Sequence, residues 1–439
     1  MLAQDVGVPQ GDPLSPLLFI LYVSDLQLST AADPLLHGNP VPFLALADDF
    51  TLLSTRPDHL QLKLHQLATQ CRHLNLTVNP HKCSLFTMGT WTLIPFLRPI
   101  TIDGIPLPRR TSIVINGYTL TAKRLARGWD SDSQAELQNR RASYTYRTLY
   151  HSRNDTGLNT PAKLRTLYRS LVESQYSYAL ETRFDTSSLV SYRLDLTQRY
   201  HLRSMAGLHS RAITNILFWD FDLLPLSLRS LVLTVKFFQY LLAAPPDRPI
   251  AWALQTQLTL PNGWFSRLCK QLLPLNIDIR HLIWQDDPTL ATTVESLLWR
   301  LEHTKLLHAL TTWPRLMVWL NATGPYLAIR RPTGLASYLT LPYYLARACS
   351  RLRTSSHNMA IQRFRMNTRR RPRHRRLCPT CNTLEDETHV IIHCPTFAPY
   401  RGPLHLLPNP LYTLLHHITP TLAEFLYTTL RIIDHRYIT

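Results

Sequence analysis

Two clusters of residues in this chain have types and spacings that can do chemistry. The first is Asp48-Asp49, adjacent carboxylates set between the apolar runs Phe43 to Ala47 and Phe50 to Leu53. That pattern reads as strand, turn, strand, with both charges presented at one edge of a small sheet. Two ionised carboxylates side by side repel, and a bound Mg²⁺ removes that cost while leaving positions open to phosphate oxygens. Read alone, the pair is more simply a turn that uses Asp for its tolerance of unusual backbone angles. The second cluster is Cys378 and Cys381, spaced Cys-x2-Cys, followed by His389 and Cys394. Such a knuckle brings two thiolates to one side of a metal, and the later His and Cys complete a tetrahedral shell. Four protein ligands leave no open position, so the expected ion is a structural Zn²⁺. His393 is a competing ligand, and free buried thiols are the alternative to a metal.

Ahead of the second cluster lies an arginine run: Arg351, Arg353, Arg363, Arg365, Arg369, Arg370, Arg371, Arg373, Arg375 and Arg376, with Phe364 interleaved. No Asp or Glu occurs from His303 to Leu384. Uncompensated arginine at this density binds phosphate by releasing counterions, with affinity that falls steeply with salt. A charge run is often only a solvated segment; abutting a zinc module, it reads as a nucleic-acid-binding stretch without a base code.

The elements that must position these residues follow from periodicity. Gly7 to Pro13, punctuated by Gly and Pro, is a loop, and Ser15-Pro16 reads as an N-cap and first-turn Pro opening a buried helix faced by Leu17, Leu18, Leu21, Tyr22 and Val23. Residues 57 to 75 predict a helix packed on the Asp48-Asp49 hairpin, and 112 to 121 predict a strand pair around Gly117. Thr160-Pro161 repeats the capping signature ahead of a stripe through Leu164, Leu167, Tyr168, Leu171, Val172, Gln175 and Tyr176, and Gly207 reads as a C-cap. Tyrosine stripes between 121 and 243 read as core. Ala244 to Pro249 is the strongest linker signal, and the order of elements from 250 to 350 is not legible.

Gly7-Val8-Pro9-Gln10-Gly11-Asp12-Pro13-Leu14-Ser15-Pro16-Leu17-Leu18-Phe19 ahead of Leu44-Ala45-Leu46-Ala47-Asp48-Asp49 resembles two successive conserved blocks of reverse transcriptases of the non-LTR, LINE-like retrotransposon class. Asn79-Pro80-His81-Lys82-Cys83-Ser84 resembles the next block, and Ile115 to Leu120 looks like the hairpin that precedes the thumb. Leu377 to Arg401 is similar to the zinc segment near the C terminus of these proteins. The resemblance implies that Asp48 ligates Mg²⁺ with Asp49 as its acidic companion. It also implies that Gln10 and Gly11 lie against the incoming nucleotide and template, and that Lys82 stands near the triphosphate; an ordinary solvated lysine is the alternative there. Leu46 departs from the family's aromatic at that position. The family's further palm Asp and its fingers belong upstream of Gly7, and Asp5 has no apolar strand before it, so the chain alone is expected to be inactive.

The expected fold class is α+β: a partial polymerase palm (a small antiparallel sheet plus helices) over 1–120, a helical thumb over 121–243, and a helical connecting region over 250–350. An Arg-rich segment with the zinc knuckle follows over 351–402, then a helical tail over 403–439. The expected function is a fragment of an RNA-directed DNA polymerase, with Mg²⁺ and structural Zn²⁺ as cofactors, RNA template and DNA primer or target as partners, and dNTP if active. A non-catalytic RNA- or DNA-binding remnant is the alternative, and a maturase-like intron protein fits less well because of the zinc pattern.

Composition agrees. In 439 residues, 47 Lys and Arg against 29 Asp and Glu give a net charge of +18 and a pI near 9.8, which calls for a polyanionic partner. A hydrophobic content of 45 % excludes a disordered tail. No apolar run reaches the roughly 20 residues that span a bilayer, and the start lacks signal-peptide character. An intracellular, nuclear protein without a membrane partner is the expectation. Seven Cys, an odd number with three of them crowded beside a His, favour metal binding over a disulfide framework.

Overall fold

The computed structural model describes residues 12–89, 98–122, 124–125, 128–129, 132–182, 188–281, 287–323, 334–365 and 370–436. The chain divides into two compact units, each built from two stretches: Met1–Gln134 with Phe237–Asp287, and Ala135–Lys236 with Pro288–Thr439.

The first unit opens with helix α1 (Ser15–Tyr22). Its start differs from expectation: Leu14 occupies the cap position, no side chain caps the helix, and Asp12 accepts a hydrogen bond from the Leu14 amide at 2.8 Å. Nor is the helix buried. Leu17, Leu18 and Leu21 are 50 to 60 % exposed, because no described element covers that stripe. The strands follow as β1 (Leu35–Leu36) with β2 (Asn39–Pro40), and β3 (Phe43–Leu46) with β4 (Asp49–Leu52). Helix α2 (Pro57–His73) turns Leu64, Leu67, Ala68 and Cys71 inward, the i, i+3, i+4, i+7 spacing of one helical face. Leu67 and Cys71 pack with Leu26, Leu28 and, on the hairpin, Phe43, Phe50 and Leu52; Leu64 packs with Leu85, Ile100 and Ile102.

Beyond α2, β5 (Leu85–Phe86) runs parallel to β8 (Arg109–Arg110), while β6 (Thr101–Ile102) pairs antiparallel with β7 (Ile105–Pro106). Strands β9 (Ser112–Ile115) and β10 (Tyr118–Thr121) form the expected hairpin. Its two-residue turn, Asn116-Gly117, has φ of +50° and +77°, the mirror-image turn whose twist matches the strands. Among the described residues the antiparallel β structure is a series of two-stranded ribbons.

The second unit starts within α3 (Asp132–His151). Helix α4 (Pro161–Leu167) carries the expected cap, Thr160 Oγ1 accepting from the Lys163 amide at 3.3 Å. A π-helical turn (Tyr168–Glu173) and α5 (Ser174–Ser177) extend it. The buried stripe is narrower than the expected one: Leu164, Tyr168, Val172 and Tyr176 at strict i, i+4 spacing are core, whereas Leu171 is 48 % exposed. Helix α6 (Ser188–Met205) ends at Gly207 in a double cap, with the Leu208 amide bonding the Arg203 carbonyl and the Gly207 amide that of Ser204. Gly207 has φ of +68°, which only glycine adopts without strain. Helices α7 (Asn215–Asp220) and α8 (Leu226–Leu242) follow. The tyrosines split: Tyr146, Tyr168 and Tyr176 are core, while Tyr144, Tyr192 and Tyr200 face solvent.

Residues 244–249 join α8 to α9 (Pro249–Thr259), and α9 leads to α10 (Trp264–Leu272), which packs Phe265 on Phe238 in the first unit. Returning to the second unit, the chain forms α11 (Leu290–Thr312), α12 (Met317–Thr323), α13 (Tyr343–Arg353), α14 (Ala360–Arg363), α15 (Pro410–His416) and α16 (Pro420–Arg436). Among its described residues, the stretch that periodicity could not order is thus largely helical, with prolines at the breaks between helices. No helix among the described residues is long and apolar enough to cross a membrane.

Candidate metal centres and nucleic-acid interface

Asp48 and Asp49 stand at the tip of the β3–β4 hairpin, both exposed. The register pairs Leu46 with Asp49, so Ala47 and Asp48 form a two-residue turn. Ala47 adopts φ of +52°, a left-handed conformation disfavoured for any residue with a Cβ. Ala47→Val should lower unfolding stability by about 2 kcal/mol, because a β-branched residue is a worse occupant of that region, and Ala47→Gly should not. Denaturant midpoints of the two variants check this.

The ends of the hairpin are held from α2 by Lys63, which is fully buried. Its ammonium donates to the Pro42 carbonyl at 2.8 Å, just before β3, and to the Leu53 carbonyl at 2.5 Å, just after β4. The charge is met by Asp33 at 2.5 Å, also buried. Burial alone would raise the Asp33 carboxyl, but Lys63, Ser29 and Thr30 together hold it below its ordinary value. Sequence reading missed this pin; a lone Lys on the apolar face of α2 was its signal. Lys82 sits exposed on a 3-10 turn (Pro80–Lys82) begun by Asn79, whose side chain accepts from the His81 amide at 3.0 Å. Gln10 and Gly11 lie outside the described residues.

The second centre assembles as its spacing predicted. One ligand atom each from Cys378, Cys381, His389 and Cys394 lies within 4.8 Å of every other. Cys394 Sγ is 3.8 Å from Cys378 Sγ and from Cys381 Sγ. That is far beyond a disulfide bond, and it is the edge of a tetrahedron whose centre-to-sulfur bonds are about 2.3 Å. The knuckle closes because the Cys378 amide donates to the Thr383 carbonyl at 2.7 Å and Asn382 turns left-handed at φ of +53°. His389 and Cys394 flank a π-helical turn, with the Cys394 amide on the His389 carbonyl at 2.7 Å. The His389 ring is aimed: Nδ1 lies 3.2 Å from Thr383 Oγ1, and the buried Nε2 has no hydrogen-bond partner. A buried, unpartnered ring nitrogen on a histidine of this group fits a metal ligand. His393 is exposed and outside the group.

The electrostatics of the thiols suit such a cation. Burial tends to raise Cys394, but hydrogen bonds from Thr396, Cys381 and Cys378 hold it below the usual thiol range. Burial and the neighbouring sulfurs push Cys381 up to about 11. The cluster is compatible with zinc, whose charge would let the sulfurs ionise side by side without the mutual repulsion that thiolates would otherwise suffer.

The arginine run is less uniform than its sequence. Arg353 is 7 % exposed and grips Asp220 through both carboxylate oxygens, at 2.5 and 2.9 Å, beside the Trp319 ring. Arg351 makes a two-pronged pair with Asp434, both bonds 2.7 Å. Both were expected at a nucleic-acid interface, but their guanidiniums are engaged within the fold. Arg376 is likewise a staple, donating to the carbonyls of Arg371 and Ile361 at 2.9 and 2.8 Å. Arg363 and Arg365 are half-buried, and Arg369 lies outside the described residues. Arg370, Arg371, Arg373 and Arg375 remain exposed, with Arg371 stacked on Phe364 at 4.2 Å. The loop bearing them is tied to the zinc knuckle by the Glu385 amide on the Arg376 carbonyl at 2.9 Å. Buried Glu387 bonds His357 at 2.8 Å and buried Glu385 accepts from the Ala360 amide at 2.8 Å, rooting the knuckle in the second unit.

Residues 2–129 match the family model described as reverse transcriptase (RNA-dependent DNA polymerase). The protein described as "Probable RNA-directed DNA polymerase from transposon BS" of Drosophila melanogaster is 34 % identical over 131 residues, 28 % of this chain and 14 % of that protein. A "Retrovirus-related Pol polyprotein from type-1 retrotransposable element R2" of Popillia japonica is 34 % identical over 111 residues, 22 % of this chain and 17 % of its own length. The N-terminal part of the chain is therefore homologous to reverse transcriptases. Its resemblance is to those of non-LTR retrotransposons, of which the matched stretch is a small share.

Proposed function

We propose that this chain carries the catalytic hairpin of an RNA-directed DNA polymerase of the non-LTR type, followed by a thumb-like region (121–243), a connecting region (250–350) and a nucleic-acid-binding tail stabilised by Zn²⁺ (351–402). The observation that carries the reading is the Asp48-Asp49 pair, exposed on a turn whose strand ends are pinned from a helix, inside the stretch similar to reverse transcriptases. Mg²⁺ at this pair would activate the primer hydroxyl and stabilise the departing pyrophosphate. The protein's own part is to hold two carboxylates rigidly at a solvent-facing edge, where a primer end on an RNA template can reach them, with Lys82 offering charge to the triphosphate. Among the described residues no third metal-binding side chain joins the pair. We assign the pair as part of a polymerase centre.

Iron-directed cleavage tests the metal site without requiring turnover. Fe²⁺ exchanged for Mg²⁺, with ascorbate and peroxide, should cut the backbone near residue 48, and excess Mg²⁺ or the Asp48→Asn, Asp49→Asn double variant should suppress the cut. Cleavage that ignores the double variant would sink the assignment. Any template-dependent incorporation by the chain should fall about 1,000-fold in Asp48→Asn, the rate equivalent of some 4 kcal/mol of lost metal stabilisation. The exposed arginines and the zinc cluster do not depend on the Asp pair, which keeps a non-catalytic RNA- or DNA-binding remnant as the second reading.

A further inference from the structure

A cleft of about 490 Å³ opens in the second unit, away from both metal centres in sequence, where α3 and the turn after it, α6 and α13 bring together Tyr150, Arg153, Tyr200, Arg203, Tyr343 and Arg347. Its volume is that of a small-ligand pocket. Arg153 stacks its guanidinium 4.0 Å from the centre of the Tyr150 ring and donates to the Tyr150 carbonyl at 2.7 Å. Arg203 uses its Nε on the Ala212 carbonyl at 2.8 Å. The wall is fixed by tyrosine: Tyr343 donates to the Ser204 carbonyl at 2.9 Å and meets the Tyr150 hydroxyl at 3.4 Å. Gly207 lets Arg347 lie close, since a Cβ there would come within 3.0 Å of the Arg347 side chain.

These arginines lack what arginines in a fold ordinarily have. Among the described residues, none of Arg153, Arg203 and Arg347 forms a salt bridge; Asp434 feels the charge of Arg347, but its oxygens are taken by Arg351 and Asn358. His209 at the rim is held below its ordinary value first by burial, then by the charges of Arg315, Arg203, Arg351 and Arg211. The acid-free stretch from residue 303 to 384 supplies α13, so no carboxylate from that helix relieves the field. Three cationic groups without acidic partners call for an anion, and the tyrosine rings beside them call for a flat aromatic group. Tyr200 is 55 % exposed and available to stack.

We infer that this cleft binds one nucleotide unit of a single-stranded nucleic acid, its phosphate among Arg153, Arg203 and Arg347 and its base against Tyr200. A duplex keeps its bases stacked on one another, and only an unpaired base can turn a face to a protein ring. The site does not depend on the Asp pair, nor on the exposed arginines near the zinc cluster.

The test uses the full chain with Arg370, Arg371, Arg373 and Arg375 all replaced by Gln, so that the exposed arginines beside the zinc cluster contribute nothing. Binding of a fluorescent oligouridylate is followed by anisotropy across a salt series. The background variant should still bind. Adding Arg153→Gln and Arg347→Gln should weaken binding and lower the slope of log affinity against log salt by about 0.7 for each phosphate no longer neutralised. Tyr200→Leu should weaken binding about tenfold and leave the slope alone, a split that general unfolding would not give. Unlabelled oligonucleotide should displace the probe. Absence of binding by the background variant, an unaltered slope in the arginine variant, or equal displacement by the same concentration of inorganic phosphate would each overturn the inference.

Discussion

Removing metal from the Cys378, Cys381, His389, Cys394 centre should unfold residues 376 to 400 and abolish most salt-sensitive binding of RNA by the exposed arginines. Its apolar interior is small, Val390, Ile391 and Phe397, and its other ties are polar: the buried carboxylates Glu385 and Glu387, Arg376 on the Ile361 carbonyl, and Arg401 on the carbonyls of Val390 and Ile391. Zinc in small modules of this donor set contributes on the order of 10 kcal/mol to folding, well beyond what three apolar side chains offset. Chelation, or Cys381→Ser, should remove one equivalent of zinc by elemental analysis and lose hydrogen-exchange protection in this segment while α8 keeps its own. The arginine loop is joined to the knuckle through the Arg376 and Glu385 backbone, so its geometry should go with the metal. Zinc-free protein with unchanged protection and RNA affinity would refute the coupling.

Lys63→Met should cost the first unit about 3 to 5 kcal/mol, the usual penalty for leaving one partner of a buried ion pair alone. Here the loss has a second consequence, because the same ammonium holds the carbonyls of Pro42 and Leu53 at the two ends of the hairpin. Asp48 and Asp49 should lose their fixed position, and iron-directed cleavage should spread along the chain. A paired Asp33→Asn, Lys63→Met variant should recover part of the stability, since no charge is then stranded. The pH dependence has a definite sign. Asp33 is depressed in the fold relative to its ordinary value near 3.8, so its contribution is complete above that pH and is lost as pH falls through the lower folded value. Urea midpoints of the wild type should therefore drop on acidification below about pH 4, and Lys63→Met should flatten that drop. A Lys63→Met protein as stable as wild type at pH 7 would remove the pin from the account.

Much of this was legible in the amino-acid sequence where the deciding interactions are local. The hairpin around Asp48-Asp49, the Asn116-Gly117 turn, the Thr160 cap and the Gly207 terminus depend on residues a few positions apart, and each formed where periodicity and turn chemistry put it. The Cys378, Cys381, His389, Cys394 group was legible for the same reason: Cys-x2-Cys is a single turn, and His389 and Cys394 are one helical turn apart. The arginine run shows the limit. Ten arginines looked alike in one dimension, yet Arg353 is sunk against Asp220, 133 residues away, and Arg351 against Asp434, 83 residues away. Only packing could sort those arginines from the ones left facing water.

The sequence by itself determined the two donor sets of this protein, paired carboxylates that suit a divalent cation and thiols with an imidazole compatible with zinc, because side-chain type and short spacing decide which ions can be held. Tertiary structure alone decided which charges are free to act. Burial and long-range pairing turned Lys63, Arg351, Arg353 and Arg376 into fasteners. Those buried charges each met a partner, since a charge costs little in water and much in a protein interior unless a partner meets it there, while Arg153, Arg203 and Arg347 came from three separate segments to one open cleft.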